Sequence, residues 1–336
     1  VRRPAVPLFL AVTTALVITG CSSSSSGGTG AAHAARPAAS ASRAAAVSPA
    51  SVKADELGQV PVLMYHQLTA KPASVYDRTP ADFQAELNRL ANENYVPVTA
   101  ADFSTGNIDI PAGSHPVVLT FDDSTNSQVR LGKDGVPAAD SAVGILLKTA
   151  KAHPSFRATG TFFVNEEAFS ETGSAKALTW LHQHGFEIGN HTLHHGDLRS
   201  MAQAAVGEAI GGEQKNIVKA VPKAQVRSLA LPYGSMPQPA ALAVQGPGYH
   251  NAGVYLVGAN PSPSPFAARF DAASIPRIRS AGAHDQDAQF GSTIWLDKLA
   301  KEGSRYTSDG NPRTIAFPRD RRKDLKAAFA SKALAY

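Results

Sequence analysis

Short unbroken apolar runs alternate with helix-patterned stretches along most of this chain, and no other feature narrows its possible folds so far. QVPVLMYH (59–66), PVVLTF (116–121), RATGTFFVN (157–165), FEIGN (186–190), VRSLALPYG (226–234) and AGVYLVG (252–258) read as strands. Runs without polar alternation suit strands buried on both faces, as in a parallel sheet. Between them, TPADFQAELNRLANEN (79–94) offers Thr79 as N-cap and Pro80 at the first helical position, with Phe83, Leu87 and Leu90 at helical spacing. Residues 137–153, 175–185 (closed by Gly185), 198–220 and 291–300 also pattern as helices, and Gly211-Gly212 predicts a kink or split in the third. Strand–helix alternation predicts an α/β fold with a mainly parallel sheet, and the number of units suggests barrel-like closure. Trp180 and Trp295 sit in helical patterns and read as core. The Pro-, Ser- and Ala-rich stretch 259–290 has no assignable pattern.

In parallel α/β folds chemistry gathers at the C-terminal ends of the strands. Polar residues punctuate those ends here: His66, Asp122-Asp123, Asn190-His191 and Pro232-Tyr233-Gly234. An isolated Asp-Asp pair describes a solvated turn. Successive strand side chains point to opposite faces, however, so Asp122 and Asp123 should not do the same job. In GNHTLHHGDL (189–198), His191 and His195 are four apart, share one face on a helical turn, and can meet at one metal ion; His194 should point elsewhere. Two imidazoles and one carboxylate leave coordination positions open, the pattern of a catalytic site.

At 336 residues the chain has room for one large or two ordinary domains. Its net charge of +5 is located entirely in residues 1–54, where Arg2, Arg3, Arg36, Arg43 and Lys53 face no acidic residue. The neutral remainder argues against a nucleic-acid partner, which needs a concentrated basic surface. Cys21 is the single cysteine, so intramolecular disulfides and multi-Cys metal sites are excluded. Arg2-Arg3, the apolar stretch Leu8–Ile18 and Ile18-Thr19-Gly20-Cys21 resemble a bacterial lipoprotein signal, with Cys21 as the lipidated residue. The expected plan is a signal peptide (1–21), a disordered Ser/Gly/Ala/Pro tether (22–56) and a single catalytic domain (57–336), of which 303–336 has no assigned role.

TFDD (120–123), HTLHH (191–195) and LPYG (231–234), in this order, resemble the three motifs of the polysaccharide deacetylase family, the NodB-homology domain of the family-4 carbohydrate esterases. ATGTFFVN and WLHQHGFEIGNHTLHH support the match, and PVLMYH resembles the opening of one branch of the family. The resemblance runs from about Val60 to Arg279, with a weaker match at 305–318. It implies a distorted (β/α) barrel of the NodB-homology type. It further implies that Asp123, His191 and His195 hold a divalent metal, most simply Zn²⁺ with Co²⁺, Ni²⁺ or Fe²⁺ as alternatives. Asp122 would be the catalytic base and the Tyr233 backbone N–H an oxyanion donor.

The chain departs from the family pattern in three places. Ala230 stands where the third motif usually carries the Arg that holds the catalytic Asp, and Arg277 in IPRIRS, at the end of an expected strand, is the candidate substitute. The late Leu-x-His that normally supplies the general acid is missing; His284 lies in a loop, and His66 is the candidate acid. Ser124 stands where many members have Gly. The implied function is metal-dependent removal of acetyl groups from an N-acetylated polysaccharide outside the cytoplasm, by an enzyme held at a membrane through its N-terminal lipid. O-deacetylation of acetylated xylan-type polysaccharide, and glycan binding without turnover, remain alternatives; the oligomeric state is not legible.

Overall fold

Eight strands, all paired in parallel, form the central sheet of the computed structural model, which describes residues 47–336. In chain order they are β1 (Val62–Tyr65), β2 (Tyr95–Val98), β3 (His115–Phe121), β4 (Thr161–Val164), β5 (Glu187–Asn190), β6 (Ser228–Ala230), β7 (Gly253–Tyr255) and β8 (Ile278–Arg279). Their spatial order is β7-β6-β5-β4-β3-β1-β8, with β2 paired to the first half of β3. Past β7, Ile275 bridges Tyr255 in parallel and accepts a hydrogen bond from the Leu256 N–H, so the sheet curls from one edge toward the other. The result is the distorted, incomplete parallel barrel expected for this class, with β8, on β1, drawn from the stretch 259–290 that has no pattern in the sequence.

All five expected helices are present, two of them starting about five residues later than the pattern suggests, and Ala100–Thr105 adds one that the sequence did not predict. Helix α1 (Pro80–Asn92) starts at Thr79, whose side chain accepts from the Asp82 N–H, and buries Phe83, Leu87 and Leu90. After it come α2 (Ala100–Thr105), α3 (Ala142–Ala152), α4 (Ser174–Gln183), α5 (Gln203–Ala220) and α6 (Ser292–Glu302). Helix α5 runs unbroken through Gly211 and Gly212. A Cβ at these positions would lie 3.1 Å from the Pro247 carbonyl oxygen and 3.2 Å from the Leu193 side chain, so the pair admits close neighbours rather than a kink. Trp180 and Trp295 pack against the core, and the Trp295 indole donates to the Ala259 carbonyl at 2.7 Å. Among the described residues no helix is long and apolar enough to cross a membrane. The signal, the lipidated Cys21 and most of the tether lie outside the described residues.

Strand alternation sends core side chains to both faces of the sheet. Leu63, Tyr65, Leu119, Phe121, Phe162 and Val164 face the helices; Val62, Val118, Phe163, Ala230 and Tyr255 face the barrel interior. Tyr65, Phe121 and Phe162 are in register and stack across three strands, with centroids 5.2 and 4.6 Å apart, while Phe83 of α1 caps the first two edge-on. Because Tyr65 and Phe121 face outward, the residues that follow them, His66 and Asp122, turn inward. Residues 303–336 close the opposite end of the barrel. Tyr306 pairs with Gln59, Ser308 with Ser114, and Tyr306, Ile315 and Phe317 join the interior cluster.

Candidate metal and catalytic centre

Asp122 extends β3 by one rung, its N–H donating to the Tyr65 carbonyl at 2.9 Å, and its side chain is 1% exposed. Arg277, fully buried, meets it with two parallel bonds of 2.7 Å, one to each carboxylate oxygen. The same guanidinium donates to Thr120 Oγ1 at 3.1 Å and to the Leu256 carbonyl at 2.7 Å, and lies 5.7 Å from the Phe163 ring centre. Burial disfavours the Asp122 carboxylate, but Arg277, His191 and His66 outweigh it and hold the group ionised far below the usual carboxylate range. Arg277 stands just before β8, not at the end of a strand as expected, and its length carries the guanidinium to the site.

Asp123 leaves the ladder with φ of +69°, which swings its carboxylate toward the histidines instead of the helix face. Its Oδ1 lies 3.3 Å from Nε2 of both His191 and His195. The three ligand atoms lie within 4.8 Å of one another. The His191 Nδ1–H donates to the Ala230 carbonyl at 2.9 Å, which leaves the Nε2 lone pair facing Asp123. This donor set fits a divalent ion.

The two histidines do not meet on a helical turn. Residues 191–197 form a loop in which Thr192 and His195 have φ of +65° and +51°, and this fold brings the rings to 4.8 Å. Asn165 holds the loop by donating to the carbonyls of His191 and Thr192 at 2.7 and 2.8 Å. His194 points away, 3.2 Å from Glu166. Five non-glycine residues with positive φ sit here, namely Asp123, Ser124, Thr192, His195 and Tyr233. Such concentration of backbone strain is typical of functional sites. Ser124, at φ of +46°, occupies a backbone conformation that explains why Gly suits that position.

His66 Nε2 is 3.9 Å from Asp122 Oδ2, on the inward face of the β1 end. Burial lowers its pKa, opposed in part by the two aspartates. Tyr233 has φ of +57° in a tight turn, its side chain is 67% exposed, and its ring centre lies 4.7 Å from that of His195. Among the described residues the Tyr233 N–H has no backbone acceptor. His284 is exposed and does not line the site. A cavity of about 320 Å³ joins His66, Asp122, Asp123, His191, His195 and Tyr233, with Tyr76, Leu231 and Val257 completing the wall.

Residues 109–252 match the family model described as polysaccharide deacetylase. Over this segment the chain is similar to the polysaccharide deacetylases. No curated protein matches the chain, but solved structures show the deacetylase fold. BC0361, a polysaccharide deacetylase from Bacillus cereus, is 18% identical with a TM-score of 0.53 over 69% of each chain. The Streptococcus pyogenes deacetylase PplD, solved with acetate, is 20% identical with a TM-score of 0.52 over 68% of this chain and 96% of that one. BA0330 from Bacillus anthracis is 19% identical with a TM-score of 0.51, over 66% of this chain and 64% of its own length. The matched segment carries Asp122, Asp123, both histidines and Tyr233, while His66, Tyr76 and Arg277 come from outside it. Leu231 opens the LPYG motif, whereas no sequence signal marks Tyr76 and Val257, because the cavity is assembled from separate strand-end loops.

Proposed function

We propose that this chain is a metal-dependent hydrolase that removes acetyl groups from an N-acetylated polysaccharide, a GlcNAc-type glycan or peptidoglycan, outside the cytoplasm. The observation that carries this reading is the contrast between adjacent aspartates. Asp123 faces His191 and His195, whereas Asp122 is held by Arg277 and stays 3.9 Å from His191 Nε2. A divalent ion on Asp123, His191 and His195, Zn²⁺ by donor type with Co²⁺, Ni²⁺ or Fe²⁺ as alternatives, would supply a Lewis acid and lower the pKa of water. Asp122 accepts the proton of the attacking water, and Arg277 keeps its carboxylate ionised and aimed. The Tyr233 N–H donates to the developing oxyanion. His66, on the Asp122 side at 3.9 Å from its carboxylate, donates a proton to the departing amine.

A polymeric substrate is supported by the surface beside the cavity. Tyr76 and Val257 are shared with a second hollow of about 310 Å³ that continues to Arg279, Asp287 and Phe290. Val75 and Arg279 are shared in turn with a third of about 330 Å³ between residues 72–79 and Asp285-Gln286. Phe290 and Tyr76, 50% and 38% exposed, offer flat faces on which sugar rings stack. The lipobox-like segment at Cys21 supports a membrane-anchored, extracytoplasmic enzyme.

Acetate release from chitin oligomers, peptidoglycan and acetyl-xylan tests the reading. Release from the N-acetylated substrates with acetyl-xylan inert is expected. Asp123→Ala or His191→Ala enzyme that keeps full activity and bound metal would refute it.

A further inference from the structure

We infer that Gln128 is a positioning residue that sets the spacing between Asp122 and His66; the inference rests on the roles proposed above for those two. Gln128 is fully buried, and its Nε2 donates both hydrogens, to the Asp122 carbonyl at 2.5 Å and to the His66 carbonyl at 2.7 Å. The opposite amide orientation would set Oε1 against two carbonyl oxygens, so the arrangement is fixed by electrostatics. Its Oε1 is buried without a partner, so the side chain gives up a hydrogen bond in order to keep both clamps.

The need for a clamp follows from the backbone. The Asp122 N–H to Tyr65 carbonyl bond is the last rung between β3 and β1. Beyond it the ladder cannot continue, because Asp123 takes φ of +69°. The two strand ends carrying the proposed base and acid would otherwise be free to splay. Gln128 ties them one step past the last rung, at the residues whose side chains face each other at 3.9 Å. Gln128 is itself anchored. Its N–H donates to Thr125, its carbonyl accepts from Val143 at the start of α3, and neighbouring Ser127 receives the Leu68 N–H on its hydroxyl. Gln128 is neither one of the three candidate ligands nor part of the cavity lining, so it acts through the two residues it holds.

A double-mutant cycle of Gln128→Leu and His66→Ala tests this, with Gln128→Asn as the milder companion should the Leu variant fail to fold. The folded, metal-loaded Gln128 variant should lose kcat by ~10²-fold with KM unchanged, since displacements near 1 Å cost about that much. The double variant should be little worse than the slower single one, because residues acting as a unit are not additive. A crystal structure of the variant should show His66 and Asp122 further apart than 3.9 Å. Wild-type kcat in the folded variant, or losses that multiply, would overturn the inference. Acetate release by none of the wild-type, metal-loaded assays would instead overturn the deacetylase reading beneath it.

Discussion

Arg277 grips Asp122 through both carboxylate oxygens across 155 residues of sequence, with both partners withdrawn from solvent. Ala230, at the position where the resemblance would place an Arg, is instead fully buried and offers its carbonyl to His191. A residue just ahead of β8 thus supplies a cation to the same carboxylate, which removes one reason to regard the site as inert.

Arg277→Ala is expected to destabilise the fold by about 3–5 kcal/mol, because it leaves a buried carboxylate uncompensated. Activity per folded molecule should fall by at least ~10²-fold. Arg277→Lys should recover little of either, since an ammonium cannot reproduce the two-point contact. Urea titration alongside acetate release measures both effects.

Much of the fold was legible because buried parallel strands announce themselves as apolar runs, and their polar ends marked His66, Asp122, Asp123 and His191. Other features were hidden for physical reasons. Four-residue spacing cannot distinguish a helical turn from the loop that unites His191 and His195, where the left-handed Thr192 and His195 do the work. Arg277 precedes a strand of only two residues inside an irregular stretch, too short for any pattern to register. Gly211 and Gly212 looked like helix breakers, because neighbours that need the space, Pro247 and Leu193, are not visible along the chain. The role of 303–336 in closing the barrel depends on pairing with Gln59 and Ser114, more than 190 residues away.

The surface beside the cavity predicts a split between substrates. Phe290→Ala should raise KM for acetylated oligosaccharides by ~5–30-fold, the loss of about 1–2 kcal/mol of ring contact. Turnover of a small acetyl ester that reaches only the metal cavity should be unchanged. Equal effects on both substrates would place the polymer elsewhere.

Glu56 predicts a pH dependence of stability. Burial pushes its pKa from 4.5 up to about 8, despite hydrogen bonds from the Ala316 N–H and the Tyr306 hydroxyl. Between those values the folded state keeps a proton that the unfolded state has lost, so stability falls as pH rises from 4.5 towards 8 and levels off above. Glu56→Gln should remove about 2–4 kcal/mol of that decline, judged from a shift of this size. Urea denaturation of both proteins at the two ends of the window checks the slope.

The division of labour between adjacent aspartates is tested most directly by measuring metal content and acetate release together in Asp122→Asn and Asp123→Asn. Asp122→Asn should keep the wild-type metal content and lose turnover by at least ~10²-fold, the contribution of a positioned general base. Asp123→Asn should lose the metal and, with it, the activity. An Asp122→Asn protein that turns over at the wild-type rate, or an Asp123→Asn protein that holds its metal as tightly as the wild type, would contradict the assignment.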